Sequence, residues 1–206
     1  MHTEIFDNNQ IELLQYISRF RRSFYLVGGT AVALHLGHRR SIDFDLFSLM
    51  PLSKSRIKKN LLQVPFPQIP IFEDYDQLHL SINKVKITFF QFPFPIMHPI
   101  KVDSIITIPT LLTLASMKAF ALGRRAKWKD YVDLFFILKY HYTIREICTE
   151  AEANFGSQFS GKLFREQLAF HKDIDYSEPI DYLIPAVPDD QIKEFLIDKA
   201  TDIDLF

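Results

Sequence analysis

The sequence predicts an α/β fold: a mixed β-sheet with flanking helices, followed by a C-terminal helical bundle. Two short apolar stretches with strand character, residues 24–27 and 42–47, flank a short helical segment. Two alternating stretches, residues 77–82 and 85–92, are separated by only two residues, as in an antiparallel hairpin. Beyond the prolines of residues 93–95 the apolar residues recur at helical spacing.

We therefore place a domain boundary near residue 105. Residues 1–105 would form the α/β domain and residues 106–206 the helical domain. The chain has 206 residues, and its 48% of hydrophobic residues is enough to build a core in one large or two small domains. Its net charge of -1 gives no overall attraction for nucleic acid or a membrane.

Cysteine usage and the apolar runs bear on the cellular location. The single Cys148 excludes an intramolecular disulfide. The first residues lack the basic and apolar regions of a signal peptide, and no apolar run approaches the roughly 20 residues that cross a bilayer. We therefore expect a cytoplasmic protein without a membrane partner.

The N-terminal part begins with a helix. A capping residue within residues 7–9 precedes apolar residues at helical spacing, namely Ile11, Leu14 and Ile17. The pair Arg21-Arg22 closes this helix and suits the negative end of its dipole.

A second, basic helix is predicted after Ser53, followed by an extended connection. The basic residues of 54–59 indicate a solvated helix face, although they also have the charge to contact a phosphate backbone. Pro65, Pro67 and Pro70 then predict an extended connection.

Gly28, Gly29 and Thr30 lie between the strand of residues 24–27 and a helix predicted at residues 31–36. Glycine lets the backbone turn sharply and lets a ligand approach closely, and free N–H groups at a helix start favour a phosphate. A plain strand-to-helix turn explains the same residues equally well.

Asp43 and Asp45 lie two residues apart in the next predicted strand, so their side chains share one face. Bulky apolar residues surround them, so the stretch keeps one face dry and the other charged. Two neighbouring carboxylates repel each other unless a cation lies between them, and Mg²⁺ prefers oxygen ligands. The pair therefore predicts a metal site.

A helix predicted from Pro109 to Gly123 carries one charged residue between Pro109 and Leu122, Lys118. This lysine either extends to solvent at the edge of the helix or points at a buried anion. A basic loop then leads to a helix predicted at residues 130–139, in which Asp130 is an N-cap or a functional carboxylate and Asp133 lies one turn further.

Together these motifs resemble the nucleotidyltransferase superfamily, and specifically its AbiEii/AbiGii toxin family. A Gly-Gly-Thr turn followed by Asp43-x-Asp45 is similar to the first superfamily motif. Lys118, Arg125 and the Lys129-Asp130-x-x-Asp133 arrangement are similar to the later one. The resemblance covers about residues 20 to 140.

The resemblance implies a magnesium-dependent nucleotidyltransferase that moves an NMP from an NTP onto an RNA (tRNA) end or a protein hydroxyl. The protein would be the toxin of a toxin–antitoxin or phage-defence pair, with a cognate antitoxin. Mg²⁺, or Mn²⁺ in its place, would be bound by Asp43 and Asp45. The implied catalytic residues are Asp43, Asp45, Lys118 and Asp130, and the implied nucleotide-binding residues are Gly28, Gly29, Thr30, Lys118 and Arg125.

The resemblance also implies an active site in an interdomain cleft, because Lys118 and Asp130 act with the Asp pair only if the helical domain closes over the sheet. Many superfamily members carry a third carboxylate on a neighbouring strand, where this sequence has Thr88. The alternative is therefore a catalytically inactive nucleotide- or partner-binding module with the same fold. An RNA acceptor would be met by a basic rim, formed by Arg39, Arg40, Arg124, Arg125, Lys127 and Lys129.

Overall fold

The computed structural model describes residues 1–202, and its contacts divide the chain into two compact units, Met1–Thr110 and a second that starts at Leu111. The boundary lies at Thr110 rather than near residue 105, because a two-stranded hairpin just before it contacts the sheet of the first unit. The helices of the first unit are α1 (Asn8–Ile17), α2 (Gly28–Leu36) and α3 (Lys54–Leu61). Its strands are β1 (Tyr25–Val27), β2 (Phe44–Ser48), β3 (Gln68–Asp74), β4 (Gln77–Ile82), β5 (Val85–Gln91), β6 (Ile100–Val102) and β7 (Ile106–Ile108).

The main sheet has the strand order β1-β2-β5-β4-β3. Strands β2 and β5 are parallel and the other neighbours are antiparallel, so the sheet is mixed as predicted. The predicted hairpin is confirmed in β4 and β5. Its turn residues Asn83 and Lys84 have φ of 51° and 66°, and two-residue hairpin turns of one common type require positive φ at both positions.

One face of the main sheet is buried. Phe44 and Leu46 of β2 and Ile87 and Phe89 of β5 are inaccessible to solvent or nearly so, and the residues between them are mostly less buried. The ring of Phe20 lies 4.9 Å from that of Phe89, in an edge-to-face arrangement that stabilises aromatic clusters. Asp45 lies on the opposite face of the sheet.

The structure corrects the predicted apolar face of α1. Gln10, Leu13 and Ile17 are buried, whereas Ile11 is exposed. A capping box between Asp7 and Gln10 begins the helix, and the buried Gln10 side chain also donates a 2.8 Å hydrogen bond to the Ser41 carbonyl oxygen. The buried face of α1 therefore includes the polar residue Gln10 and excludes Ile11, which the apolar spacing had placed on it.

The structure adds a strand, β3, where the prolines predicted only an extended connection. β3 lies at the edge of the sheet, and its pairing with β4 shifts register between Pro70 and Phe72. Proline is tolerated at such a place because an edge strand has one unpaired side and a bulge omits a ladder bond.

The second unit is helical. Its helices are α4 (Leu111–Leu122), α5 (Trp128–Tyr140), α6 (Ile144–Phe155), α7 (Gly161–Ala169) and α8 (Asp189–Thr201). Thr143 and Glu146 form a capping box at the start of α6. Within residues 1–202, no helix has the length and apolar character that crossing a membrane requires.

Candidate active site

At the junction between β1 and α2, the backbone lies close to the carboxylate of Asp45. Helix α2 begins at Gly28, directly after β1, so the predicted turn before a helix at residue 31 is absent. Gly28 has φ of 72°, and a Cβ atom there would overlap the Asp45 carboxylate. Glycine is therefore required at this position both by its conformation and by the space available.

Asp43 and Asp45 lie where β2 begins. Asp43 is the residue before the strand, and Asp45 pairs with Val27 of β1 on one side and Thr88 of β5 on the other. Both aspartates are half-buried, while Phe44 between them is fully buried. The alternation predicted for this stretch is thus present from Asp43 to Leu46, but the prediction is wrong for Ile42, which lies before the strand and is 49% exposed.

Thr30, in the first turn of α2, fixes the chain that precedes β2. Its hydroxyl donates to the Asp43 carbonyl oxygen and lies 3.0 Å from the Ser41 hydroxyl oxygen. The side chain of Thr30 is buried and held by the protein, so it positions Asp43. The start of α2 has no side-chain cap, which leaves first-turn N–H groups available to an anion.

Gly29 also lies in a crowded place. A Cβ atom on Gly29 would come 2.6 Å from a terminal nitrogen of Arg39 and 3.0 Å from the Ser41 hydroxyl oxygen. Arg39 is buried, with 1% of its surface exposed, and donates to the Arg40 carbonyl oxygen. The expectation that Arg39 belongs to an exposed basic rim is therefore wrong, because its guanidinium packs under the start of α2.

The surroundings of Asp45 fit a divalent cation. Within residues 1–202, the Asp45 carboxylate has no hydrogen-bond or ion-pair partner although it is half-buried, and carboxylates in such places are normally paired or bind a metal. No cluster of three or more His, Cys, Asp or Glu side chains with metal-binding geometry occurs in the same described range. The protein therefore offers two carboxylates, a set that suits Mg²⁺ held together with phosphate oxygens.

Thr88 lies opposite Asp45 in the parallel β2–β5 pair, at the position where a third carboxylate was considered. His79 of β4 follows in the same row. Burial lowers the pKa of His79, nearby Lys86 lowers it further, and Asp45 opposes the shift, so the imidazole is neutral at pH 7. Of the cross-strand neighbours Asp45, Thr88 and His79, only Asp45 is therefore acidic.

Lys118, Asp130 and Asp133 form a buried ion cluster in the second unit. The Lys118 ammonium lies 2.5 Å from an oxygen of Asp130 and 2.6 Å from an oxygen of Asp133. All three side chains are at least 94% buried by surface area, the lysine with 6% exposed. Of the two interpretations of Lys118, the buried anion is the one observed, and the anions are the protein's own carboxylates.

Arg125 completes the cluster from its solvent side. Its Nε atom donates to Asp130 at 3.0 Å, and about half of its side chain is exposed. Burial raises the pKa of Asp130, but Lys118 and Arg125 outweigh this effect and leave the pKa below its ordinary value. Asp130 is therefore ionised at neutral pH. It lies inside the first turn of α5, so it is not the N-cap, which is Lys127.

Lys127 and Lys129 share a partner, Glu178, that no local sequence pattern indicates. Glu178 accepts hydrogen bonds from both Lys127, at 2.5 Å, and Lys129, and these contacts lower its pKa to about 2 against the opposing effect of burial. An isolated bridge between Lys127 and Asp175 and the 5.2 Å packing of Trp128 on Tyr176 hold the same segment. Two lysines of the predicted basic rim are thus paired with one carboxylate, which offsets half of their positive charge.

The sequence-predicted residues therefore lie in two groups. The first unit brings together Gly28, Gly29, Thr30, Asp43 and Asp45. The second brings together Lys118, Arg125, Asp130 and Asp133.

Solved structures share the fold. MenT4, a nucleotidyltransferase toxin from Mycobacterium tuberculosis H37Rv, aligns with a TM-score of 0.61 and 12% identity, over 95% of this chain and 85% of that one. JHP933 from Helicobacter pylori aligns with a TM-score of 0.54 and 13% identity, over 94% and 89% of the two chains. At these identities the likeness concerns the fold, and it confirms the predicted α/β class.

Sequence comparison gives the family. The uncharacterized protein aq_aa25 of Aquifex aeolicus (strain VF5) is 32% identical over 122 residues, which are 57% of this chain. The match spans 59% of the length of that curated relative. Residues 12–205 match the family described as "Nucleotidyl transferase AbiEii toxin, Type IV TA system". This match covers most of the sequence, and the chain therefore belongs to the AbiEii family of nucleotidyltransferase toxins of type IV toxin–antitoxin systems.

Proposed function

We propose that this protein transfers an NMP from an NTP to an acceptor hydroxyl, at an RNA (tRNA) end or on a protein, and that it acts as a toxin with a cognate antitoxin. The observation that carries the proposal is the Asp45 carboxylate, half-buried and unpaired within the described chain, against the backbone of Gly28. Membership of the AbiEii family supports the same reaction.

The reaction is an attack of the acceptor oxygen on the α-phosphorus. A new phosphorus–oxygen bond forms, the acceptor hydroxyl releases its proton to water, the bond from the α-phosphorus to the oxygen that bridges it to the β-phosphate breaks, and pyrophosphate leaves. Asp43 and Asp45 would hold Mg²⁺ or Mn²⁺, which when bound neutralises charge on the phosphate oxygens. Backbone N–H groups in the first turn of α2, at Gly28, Gly29 and Thr30, would bind the phosphates of the nucleotide.

We assign Lys118 and Arg125 to the phosphates as well. A lysine ammonium has three N–H donors, and Lys118 uses two on Asp130 and Asp133, so one remains. Arg125 has an exposed part that can reach an anion while its Nε stays on Asp130. With its lowered pKa, Asp130 is a weak base, so we assign it to holding these two cations rather than to removing a proton.

The test is transfer of label from each of the four α-³²P-labelled NTPs, with Mg²⁺ or Mn²⁺, to total cell RNA and to nuclease-treated lysate. We expect one acceptor class to be labelled by the natural protein and not by Asp43→Asn/Asp45→Asn, which keeps the shape and removes the charge. Circular dichroism would check that the double variant is folded. The proposal would be refuted if no NTP gave transfer, or if the variant transferred label as well as the natural protein.

The alternative is a nucleotide- or partner-binding module without turnover, and Thr88 in place of a third carboxylate is the observation that favours it. Calorimetry with NTP and Mg²⁺ separates the two functions. The module would bind NTP with no label transferred under any condition of the first experiment, whereas the enzyme would bind NTP and release pyrophosphate.

A further inference from the structure

A cavity of about 450 Å³ lies in the first unit, away from the aspartate pair. Strands β1 and β2 are antiparallel, with Val27 opposite Asp45 at one end. The cavity is lined by Phe24, just before β1, and Ser48, the last residue of β2, at the other end. Ser48 lies about 10 Å along the strand from Asp45, at roughly 3.3 Å per residue. The cavity is thus a separate site.

The lining of this cavity is strongly basic. Four arginines contribute to it: Arg19, Arg21, Arg22 and Arg56. None of the described residues that line it is Asp or Glu. All four arginines are exposed, so solvent partly screens their mutual repulsion, and a bound anion would offset it further.

Two of the arginines are held in place by main-chain oxygens. Arg19 donates to the Asn60 carbonyl oxygen at 3.2 Å, and Arg21 donates to the Ser104 carbonyl oxygen at 2.8 Å. A guanidinium has five N–H donors, so each of these arginines keeps donors for a ligand. The hydrogen bonds fix the position of the charge without neutralising it.

The other two arginines have no hydrogen-bond or ion-pair partner among the described residues. Neither Arg22 nor Arg56 makes a hydrogen bond or ion pair with any residue of the described range 1–202. Their neighbours in α3 differ, because Lys54 and Lys58 both pair with Glu73. Two of the residues that line the cavity, Arg22 and Arg56, therefore carry positive charge that no described residue pairs with.

The shape of the cavity limits the ligand. Its buried aromatic and aliphatic lining, including Phe20, Phe24 and Ile57, and its volume are typical of a small-molecule site. Arginine forks match the oxygens of phosphates and carboxylates alike, but four arginines favour a ligand that carries more negative charge than a single carboxylate, such as a polyphosphate. We propose that this cavity binds a small molecule bearing two or more phosphate groups, at a site distinct from the aspartate pair.

The test uses inorganic tripolyphosphate as the probe. Calorimetry is performed on Asp43→Asn/Asp45→Asn in EDTA, which removes the metal-dependent site from the measurement. We expect binding that weakens as salt is added, and that falls at least tenfold in Arg22→Gln/Arg56→Gln. Lys101→Gln/Lys172→Gln removes the same charge from exposed positions outside the cavity and is expected to retain affinity within twofold.

A second pair of variants removes no arginine. Met50 is 69% exposed and lines the cavity, so Met50→Glu places a negative charge there and is expected to weaken tripolyphosphate binding at least tenfold. Met97→Glu, at an exposed position outside the lining, is its control. No binding to the parent, equal losses in the test and control variants, or binding of RNA without tripolyphosphate would each overturn the proposal, whatever the outcome of the transfer assay.

Discussion

The hydroxyl of Thr30 donates a hydrogen bond to the main-chain carbonyl oxygen of Asp43. This contact joins the first turn of α2 to the residue before β2, thirteen positions further along the chain. One carboxylate of the pair is therefore placed by the same turn that presents backbone N–H groups to a nucleotide in the proposed reaction.

Replacing Thr30 by Val keeps the shape and removes this bond. We expect Thr30→Val to lower the free energy of unfolding by about 1–2 kcal/mol, because a partly buried carbonyl oxygen loses its donor. Nucleotidyl transfer should fall at least tenfold, because Asp43 is no longer fixed. Thr30→Ser retains the hydroxyl and should keep most activity. Urea unfolding and label transfer measure both effects, and equal activity in the two variants would contradict this role.

Gly28 is expected to be the glycine least tolerant of a side chain. Gly28→Ala and Gly156→Ala both force alanine to adopt a positive φ, which costs about 1–3 kcal/mol. Only at Gly28 does the new Cβ also overlap the Asp45 carboxylate, while nothing lies near the Gly156 position. We therefore expect a larger loss of stability and loss of transfer for Gly28→Ala alone. Similar unfolding midpoints for both variants would show that the overlap is relieved.

The buried ion cluster is expected to be sensitive to loss of its lysine. Lys118→Met leaves Asp130 buried with Arg125 as an ion-pair partner and takes the lysine away from the buried Asp133, and removing one partner of a buried pair costs about 3–5 kcal/mol. Chemical unfolding measures the loss. The triple variant Lys118→Met/Asp130→Asn/Asp133→Asn also removes the two carboxylate charges and should recover part of it. A loss below about 1 kcal/mol in the single variant would indicate that water reaches the carboxylates.

The contact of Glu178 with two lysines predicts a dependence of stability on pH. Its pKa in the folded protein is about 2, below the ordinary value of 4.5. The stabilisation is therefore fully present above pH 4.5 and is lost as the pH falls from 4.5 towards 2. Because Glu178 is over a third exposed, we expect Glu178→Gln to cost only about 1 kcal/mol at pH 7. The two stability curves should converge as the pH falls towards 2, and a constant difference would contradict the assignment.

Thr88 offers a test of the missing third carboxylate. Thr88→Asp places a negative charge directly opposite Asp45, which destabilises the sheet in EDTA because like charges face each other. We expect Mg²⁺ to raise the unfolding temperature of Thr88→Asp more than that of the natural protein, since only a bound cation offsets the repulsion. Thr88→Asn is the uncharged control and should respond to Mg²⁺ like the natural protein.

Features specified by neighbouring residues could be predicted from the sequence. The hairpin of β4 and β5 follows from strand alternation on both sides of a two-residue turn, and the half-buried positions of Asp43 and Asp45 follow from the bulky residue between them. The capping box at Thr143 depends on a residue only three positions away. Each of these predictions needs local chemistry alone.

Features specified by distant residues could not be predicted in this way. Glu178, which pairs with Lys127, is separated from it by fifty-one positions, and no local pattern indicates the pairing. Arg39 lies in a basic run typical of an exposed loop, but the close backbone of Gly29 leaves room for its guanidinium in the interior. Tertiary contacts decide the burial of such side chains, so their sequence context is misleading.

The only tryptophan of the chain, Trp128, is the first residue of α5 and is buried. Fluorescence excited at the red edge of indole absorption therefore reports the second unit alone. It is sensitive to the segment around Tyr176, whose ring packs on Trp128. Far-ultraviolet dichroism instead reports the helices and strands of both units. Following both signals through one denaturant titration would thus reveal whether the two units melt in a single cooperative transition or in separate steps.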